Sequence, residues 1–208
     1  MRSFTPAYIQ RSLRLLSKPA SLGFSPSVPL QQTSAMSTTP QIENTNINTA
    51  PGVSLDDRQK LLVGCVLDLF AGRPSKEKLQ LWTDDGTFED PITIAKGRDK
   101  YEPQWYGLRA AFSEIERISH QVNSSGNPIT MDMKTRYVVK GISKEQTIAS
   151  VVNIFVNSEG KIEKVEDKWD GQLPDSAFKN AFRRLNAVTV PKMINVPKSD
   201  AEDAKKGN

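Results

Sequence analysis

Between residues 54 and 186 the spacing of apolar positions changes once. Leu55, Leu62, Val66, Leu69 and Phe70 recur at helical spacing. Ser54, with Asp57 three residues on, reads as the N-cap, and Ala71-Gly72 as the end. A second, short helix is expected from Pro74 or Ser75 to Trp82, with Leu79 and Trp82 inward. Asp84-Asp85-Gly86 reads as a turn. Residues 87–90 read as a short strand whose pairing Pro91 limits, and residues 92–95 as another. Gly97 separates these from a third helix, residues 99–112, with Pro103 in its first turn.

After Phe112 the period falls to 2. Ile118, His120 and Val122 alternate with Arg117, Ser119 and Gln121. Beyond a turn at 124–127, Met131, Met133, Thr135, Tyr137 and Val139 alternate with Asp132, Lys134 and Arg136. Residues 147–156 are nearly all apolar, as in a strand covered on both faces. Asn157-Ser158-Glu159-Gly160 is a hairpin turn, and residues 161–170 form the last strand, with Val165, Asp167 and Trp169 on one side. Phe178, Phe182 and Leu185 share a stripe of a final helix over 175–186. Helices followed by long strands give an α+β layer fold. The expected form is a cone-shaped, curved antiparallel sheet packed against three N-terminal helices, with an extra C-terminal helix and a cavity inside.

The ends differ in composition. Residues 1–35 contain no acidic residue and several serines, and residues 8–18 form a helix-compatible run. Ile9, Leu13 and Leu16 fall on one side, with Arg11, Arg14 and Lys18 on others. An acid-free, basic, amphipathic start is the mark of a mitochondrial targeting segment, with the matrix as destination. Arg14-Leu15-Leu16-Ser17 resembles a matrix-protease site, cut after Leu16, and Met36 offers a second start. Residues 36–53 are polar and aperiodic and read as a disordered linker; residues 54–187 are the folded domain; residues 188–208 read as an extended or disordered tail.

Charge excludes several function classes. The chain of 208 residues has Lys+Arg 28 against Asp+Glu 24, a net charge of +4. Most of that excess sits before residue 52, where Arg2, Arg11, Arg14 and Lys18 face only Glu43. The body is near neutral and has no basic stripe with interleaved aromatics, so no nucleic-acid partner is expected. No run approaches the roughly 18–20 apolar residues of a helical membrane span. With Cys65 and His120 as the only residues of their types, no disulfide framework, zinc cluster or multi-histidine metal site is expected. No cofactor is implied.

The stretch Trp82-Thr83-Asp84-Asp85-Gly86-Thr87-Phe88-Glu89-Asp90-Pro91, the turn from Asn157 to Ile162 and the closing Lys168-Trp169-Asp170-Gly171 resemble the nuclear transport factor 2-like superfamily. The likeness is to its SnoaL-like and ketosteroid isomerase-like branch and covers about residues 55–172. It implies a cavity for a small apolar molecule and a general base at Asp90, matching the family's Glu-Asp-Pro motif. The family's Tyr donor would fall at Cys65 and its Asp donor at about Val152. Neither side chain donates usefully, which speaks against steroid isomerisation.

The candidate catalytic residues are therefore Asp90, His120 and Asp167, with Tyr137, Trp105, Tyr106 and Trp169 as candidate substrate contacts. Each has a structural alternative. Asp90 can bracket the turn at Pro91, His120 can be a satisfied core residue, and Asp167 can be a buried acid in an ion pair. Tyr137, Trp105 and Tyr106 can simply pack, and Cys65 can be an apolar filler. Two functions stay open: cofactor-free acid–base chemistry on a small apolar molecule, or a non-catalytic mitochondrial accessory protein that uses the cone or sheet face for a partner. A homodimer is compatible with both.

Overall fold

The computed structural model describes residues 40–171, 180 and 196–205. The expected targeting segment and nearly all of the expected helix at 175–186 lie outside the described residues. Three helices and six strands follow in order: α1 (Asp57–Phe70), α2 (Lys76–Leu79), β1 (Trp82–Asp90), β2 (Thr93–Lys96), α3 (Arg98–Ala111), β3 (Phe112–Ser124), β4 (Ile129–Val139), β5 (Lys144–Val156) and β6 (Ile162–Asp170). A short helix, α4 (Asp200–Ala204), comes last.

The strands form one curved, unclosed sheet in the order β2-β1-β6-β5-β4-β3. All neighbours are antiparallel except β1 and β6, which pair in parallel, with Phe88 opposite Val165. The sheet is therefore mixed, where a wholly antiparallel one was expected. One side chain in two along β4, from Ile129 to Val139, is buried, as the period-2 pattern predicts. The core joins these residues to the inward face of α1 and to Trp82, Tyr101 and Trp105.

Helix α1 starts later than its apolar pattern suggests. The N-cap is Asp56, not Ser54: its Oδ1 accepts the Gln59 N–H at 2.7 Å, and Gln59 Oε1 accepts the Asp56 N–H at 3.1 Å. This reciprocal box satisfies two of the free amides at the helix start. Trp82 opens β1 rather than closing α2, because its backbone is opposite Ile162 and its carbonyl accepts from Arg98 Nη2 at 3.2 Å. The expected Asp84–Gly86 turn lies inside β1, in a register shift between Trp82 and Thr87. Gly97 precedes α3 at φ +89°, a conformation that glycine takes without strain.

Two features of the strands change what faces inward. Between Arg117 and Ser119 the β3–β4 register slips, leaving Ile118 50% exposed while His120 and Val122 turn in. On β5, Ile148, Ser150, Val152 and Ile154 are buried, whereas the residues between them are only half-buried. Among the described residues no second layer covers that outer face, contrary to the two-sided burial expected.

Residues 40–50 are not a loose linker. Glu43 N–H and Asn44 N–H donate to Asp68 at 2.9 and 3.1 Å, and the Asn44 amide side chain donates to it as well. Lys78 Nζ lies 3.1 Å from the same carboxylate, which has no exposed surface. Further on, the strap adds a parallel bridge at the open edge of β3, with Asn48 O and the Ala50 N–H both bonded to Val122. Gly64 leaves room for it: a Cβ there would lie 2.6 Å from Ile42 Cγ2. Residues 196–205 also dock, through buried Asp203, where an extended tail was expected.

Candidate functional site

The helices and the curved sheet enclose a cavity lined by Phe70 of α1, Gln104, Trp105 and Leu108 of α3, Phe88 and Asp90 of β1, and Thr93 of β2. Tyr137, Ile148, Asp167 and Trp169 of β4, β5 and β6 complete it. Its free volume is about 20 Å³, room for one water molecule. A tight aromatic cluster accounts for this: the Trp105 ring sits 4.6 Å from Phe88 and 5.2 Å from Phe70. Next to it is an open groove of about 240 Å³, which shares Asp90, Asp167 and Trp169 with the cavity.

Asp90 ends β1 at a two-residue turn, Pro91-Ile92, before Thr93 pairs back opposite it. Its Oδ1 accepts the Ile92 N–H at 2.9 Å. It is thus a turn residue and a cavity residue at once. Burial pushes its pKa up to about 6, against the pull of the Ile92 and Thr93 hydrogen bonds.

Asp167 is opposite Val152 across the β5–β6 ladder. The likeness to the isomerases implied a carboxyl donor at about Val152; the carboxyl lies instead on the adjoining strand. The Trp169 indole N–H donates to Asp167 Oδ2 at 2.7 Å. Oδ1 is buried without a hydrogen-bond partner among the described residues. Burial pushes this pKa up to about 7; the nearby Ser150 hydroxyl and the Trp169 indole oppose the rise, and Asp90 adds to it. Among the described residues no basic group balances Asp167, so the expected ion pair is not its role. Tyr137 is buried on the same wall, packed 5.0 Å from Phe112. Burial raises its hydroxyl pKa, with Asp167 and Asp90 adding to the effect.

Trp105 is sealed into the cavity wall, and its Nε1 has no hydrogen-bond partner among the described residues. An unsatisfied buried donor or acceptor costs about 1–3 kcal/mol. Two such atoms, Trp105 Nε1 and Asp167 Oδ1, belong to residues that line this one cavity.

The remaining candidates are elsewhere. His120 shares the inward face but is three ladder steps from β6, roughly 14 Å at the usual strand spacing. Its Nε2 accepts the Asn48 N–H at 3.1 Å, and burial, with Arg117 adding, lowers its pKa. It is a neutral anchor for the strap. The Tyr106 hydroxyl donates to Asp203 at 3.1 Å and helps seat α4. The Cys65 thiol is fully buried and pushed up to about 12 by desolvation, which keeps it protonated and inert. Thr93, Gln104 and Ser150 join the site without having been singled out from the sequence; each is a common polar residue with no local motif. Among the described residues, no three of His, Cys, Asp and Glu converge as metal ligands. No described helix is long and apolar enough to cross a membrane.

No protein-family model matches the chain, and no curated protein sequence matches it. Among solved structures it is similar to a steroid delta-isomerase from Pseudomonas aeruginosa, with 13% identity, 64% of this chain and 93% of that chain covered, and a TM-score of 0.49. It is also similar to an NTF2-like protein from Exiguobacterium sp. 255-15, with 17% identity, coverage of 53% and 99%, and a TM-score of 0.44. A third is a putative isomerase of the SnoaL-like family from Agrobacterium tumefaciens, with 15% identity, coverage of 56% and 100%, and a TM-score of 0.43. At these identities the likeness is one of fold.

Proposed function

We propose that the domain binds a small, largely apolar molecule and moves a proton on it without a cofactor. The observation that carries this reading is the convergence of Asp90, Asp167 and Tyr137 on one apolar cavity. Asp90 is the base: its pKa of about 6 leaves it ionised at neutral pH yet basic enough to accept a proton. Asp167, whose pKa of about 7 keeps a large share protonated, is the acid.

The test uses ketones with exchangeable α-hydrogens in D2O, followed by proton NMR. The protein should speed loss of the α-hydrogen signals, and Asp90→Asn should slow it by about 10²–10⁴-fold. No acceleration across such a panel would favour the alternative, a non-catalytic accessory protein. The small free volume of about 20 Å³ supports that alternative, in which the outer sheet face, with half-buried Val151 and Phe155, takes a protein partner or a second copy. Sedimentation of the full chain distinguishes a homodimer. We place the protein in the mitochondrial matrix, on the acid-free basic character of residues 1–35.

A further inference from the structure

Asp90 and Asp167 border both the closed cavity and the groove beside it, and they are only 8% and 6% exposed. The charge of Asp90 reaches Asp167 and disfavours its ionisation, so the two carboxyls act on one space. Among the described residues their hydrogen-bond donors are all uncharged. Asp90 has the Ile92 N–H and Thr93; Asp167 has the Trp169 indole and the Ser150 hydroxyl. An ionised carboxyl has about four acceptor sites, so both keep capacity. The nearby lysines are already engaged: Lys164 Nζ lies 2.9 Å from Glu89, and Lys168 Nζ lies 3.0 Å from Glu166. The rim of the groove thus balances its own charge, and the inner pair is left without a counterion. A buried charge is costly unless it is paired.

The surroundings select the kind of cation. A hard metal ion takes about six or more oxygens, and among the described residues no three of His, Cys, Asp and Glu converge. The other walls carry the rings of Phe70, Phe88, Trp105, Tyr137 and Trp169. Aromatic faces attract an organic cation and repel an anion. The free volume of about 20 Å³ holds a head the size of a water molecule, as –NH3⁺ is, and no trimethylated one. A primary ammonium also brings several N–H donors, enough to serve both carboxyls.

We infer that Asp90 and Asp167 together bind the ammonium group of a primary alkylamine, whose chain lies in the groove of about 240 Å³ along Pro91 and Trp169. This goes beyond the acid–base reading above and does not need it. The two meet at one point. A bound ammonium keeps both carboxyls ionised, which removes the acid, so such an amine blocks proton transfer in the cavity.

The test is calorimetric titration of the full chain with n-pentylammonium at pH 8. The comparison ligands are 1-pentanol, pentanoate and pentyltrimethylammonium, which share the chain and differ in the head. Pentylammonium should bind saturably and more tightly than all three. Asp167→Asn keeps the size of the side chain and removes its charge, and should weaken that affinity roughly tenfold or more, the worth of one hydrogen bond to a charged group. The wild-type affinity should also rise from pH 5 to pH 8, because protons compete with the ammonium for the carboxyls. The other titratable groups around the pair are Tyr137 on β4, held neutral by burial, and Glu89, Glu166 and Lys168 at the rim; the lining side chains of α1, α3, β2 and β5 are uncharged. Equal binding of pentanol, tighter binding of pentanoate or pentyltrimethylammonium, an affinity flat with pH, or an unaffected Asp167→Asn would overturn the inference. Ammonium binding without α-hydrogen exchange on any ketone would keep this site and refute the catalytic reading alone. Exchange that pentylammonium fails to inhibit would overturn the site and keep the catalysis.

Discussion

Replacing Asp167 with Asn tests the electrostatics of the cavity without any ligand. The amide keeps the size of the side chain and still accepts the Trp169 N–H, but carries no ionisable proton. In the wild type, burial raises the carboxyl pKa from about 3.9, the unfolded value, to about 7. The folded state then binds its proton more tightly than the unfolded state, so this contribution to stability is fully present at low pH and is lost as pH rises through that window. A tenfold difference in proton affinity between the two states corresponds to about 1.4 kcal/mol. Between pH 5 and pH 7 this one group should lower stability by roughly 2 kcal/mol. Asp90, raised to about 6, adds a smaller fall over the lower part of the same range, and the two carboxyls release their protons as a coupled pair. The assay is urea unfolding followed by tryptophan fluorescence at pH 5 and pH 8. Asp167→Asn should gain about 2–3 kcal/mol on the wild type between pH 5 and pH 8. A variant less stable than wild type at pH 8, or falling with pH as steeply, would refute a desolvated Asp167.

Other consequences are open to simple measurements. Trp82→Ala should destabilise by about 3–5 kcal/mol in urea unfolding, because Trp82 is fully buried and stacked 4.9 Å from Tyr101; a change below about 1 kcal/mol would contradict that packing. Asp68→Ala should destabilise by about 3–5 kcal/mol and free the strap, leaving Lys78 buried without this carboxylate; proteolysis within residues 40–50 reports the release. Residues 1–40 fused to a fluorescent protein should enter mitochondria, and Glu at positions 11 and 14 should prevent it; a diffuse cytosolic signal from the unaltered fusion contradicts the targeting assignment.

Periodicity identifies faces well and positions poorly. The alternation of Val165, Asp167 and Trp169 places Asp167 inward, and Glu-Asp-Pro places Asp90 at a turn. That β1 and β6 pair in parallel, bringing these two carboxyls to one cavity, depends on contacts far apart in the sequence. His120 shows the same gap: its face is legible, but its distance from the carboxyls depends on strand order. Bulges erase the signal locally. Ile118 reads as inward because a two-residue period has no mark for the extra residue that turns it out. Trp82 reads as helical because its spacing from Leu79 is the same as on a helix, and only the tertiary contacts of Arg98 and Ile162 decide otherwise. The strap misleads by composition: its polar residues look unable to pack, yet their backbone groups bond to Asp68 and Val122.

That strap sets where the folding unit begins. Its amide donors at 43, 44 and 48 have acceptors on α1 and β3, not within the strap itself. Their hydrogens should therefore exchange with solvent only when the helix or sheet edge opens, as part of the same cooperative unit. A shortened chain starting at Ser54 would lose that shared protection, while one starting near residue 40 keeps it. Cleavage after Leu16 would leave roughly two dozen residues between the new end and Ile42. A cut at that expected site would remove none of the strap residues that bond to Asp68 and Val122.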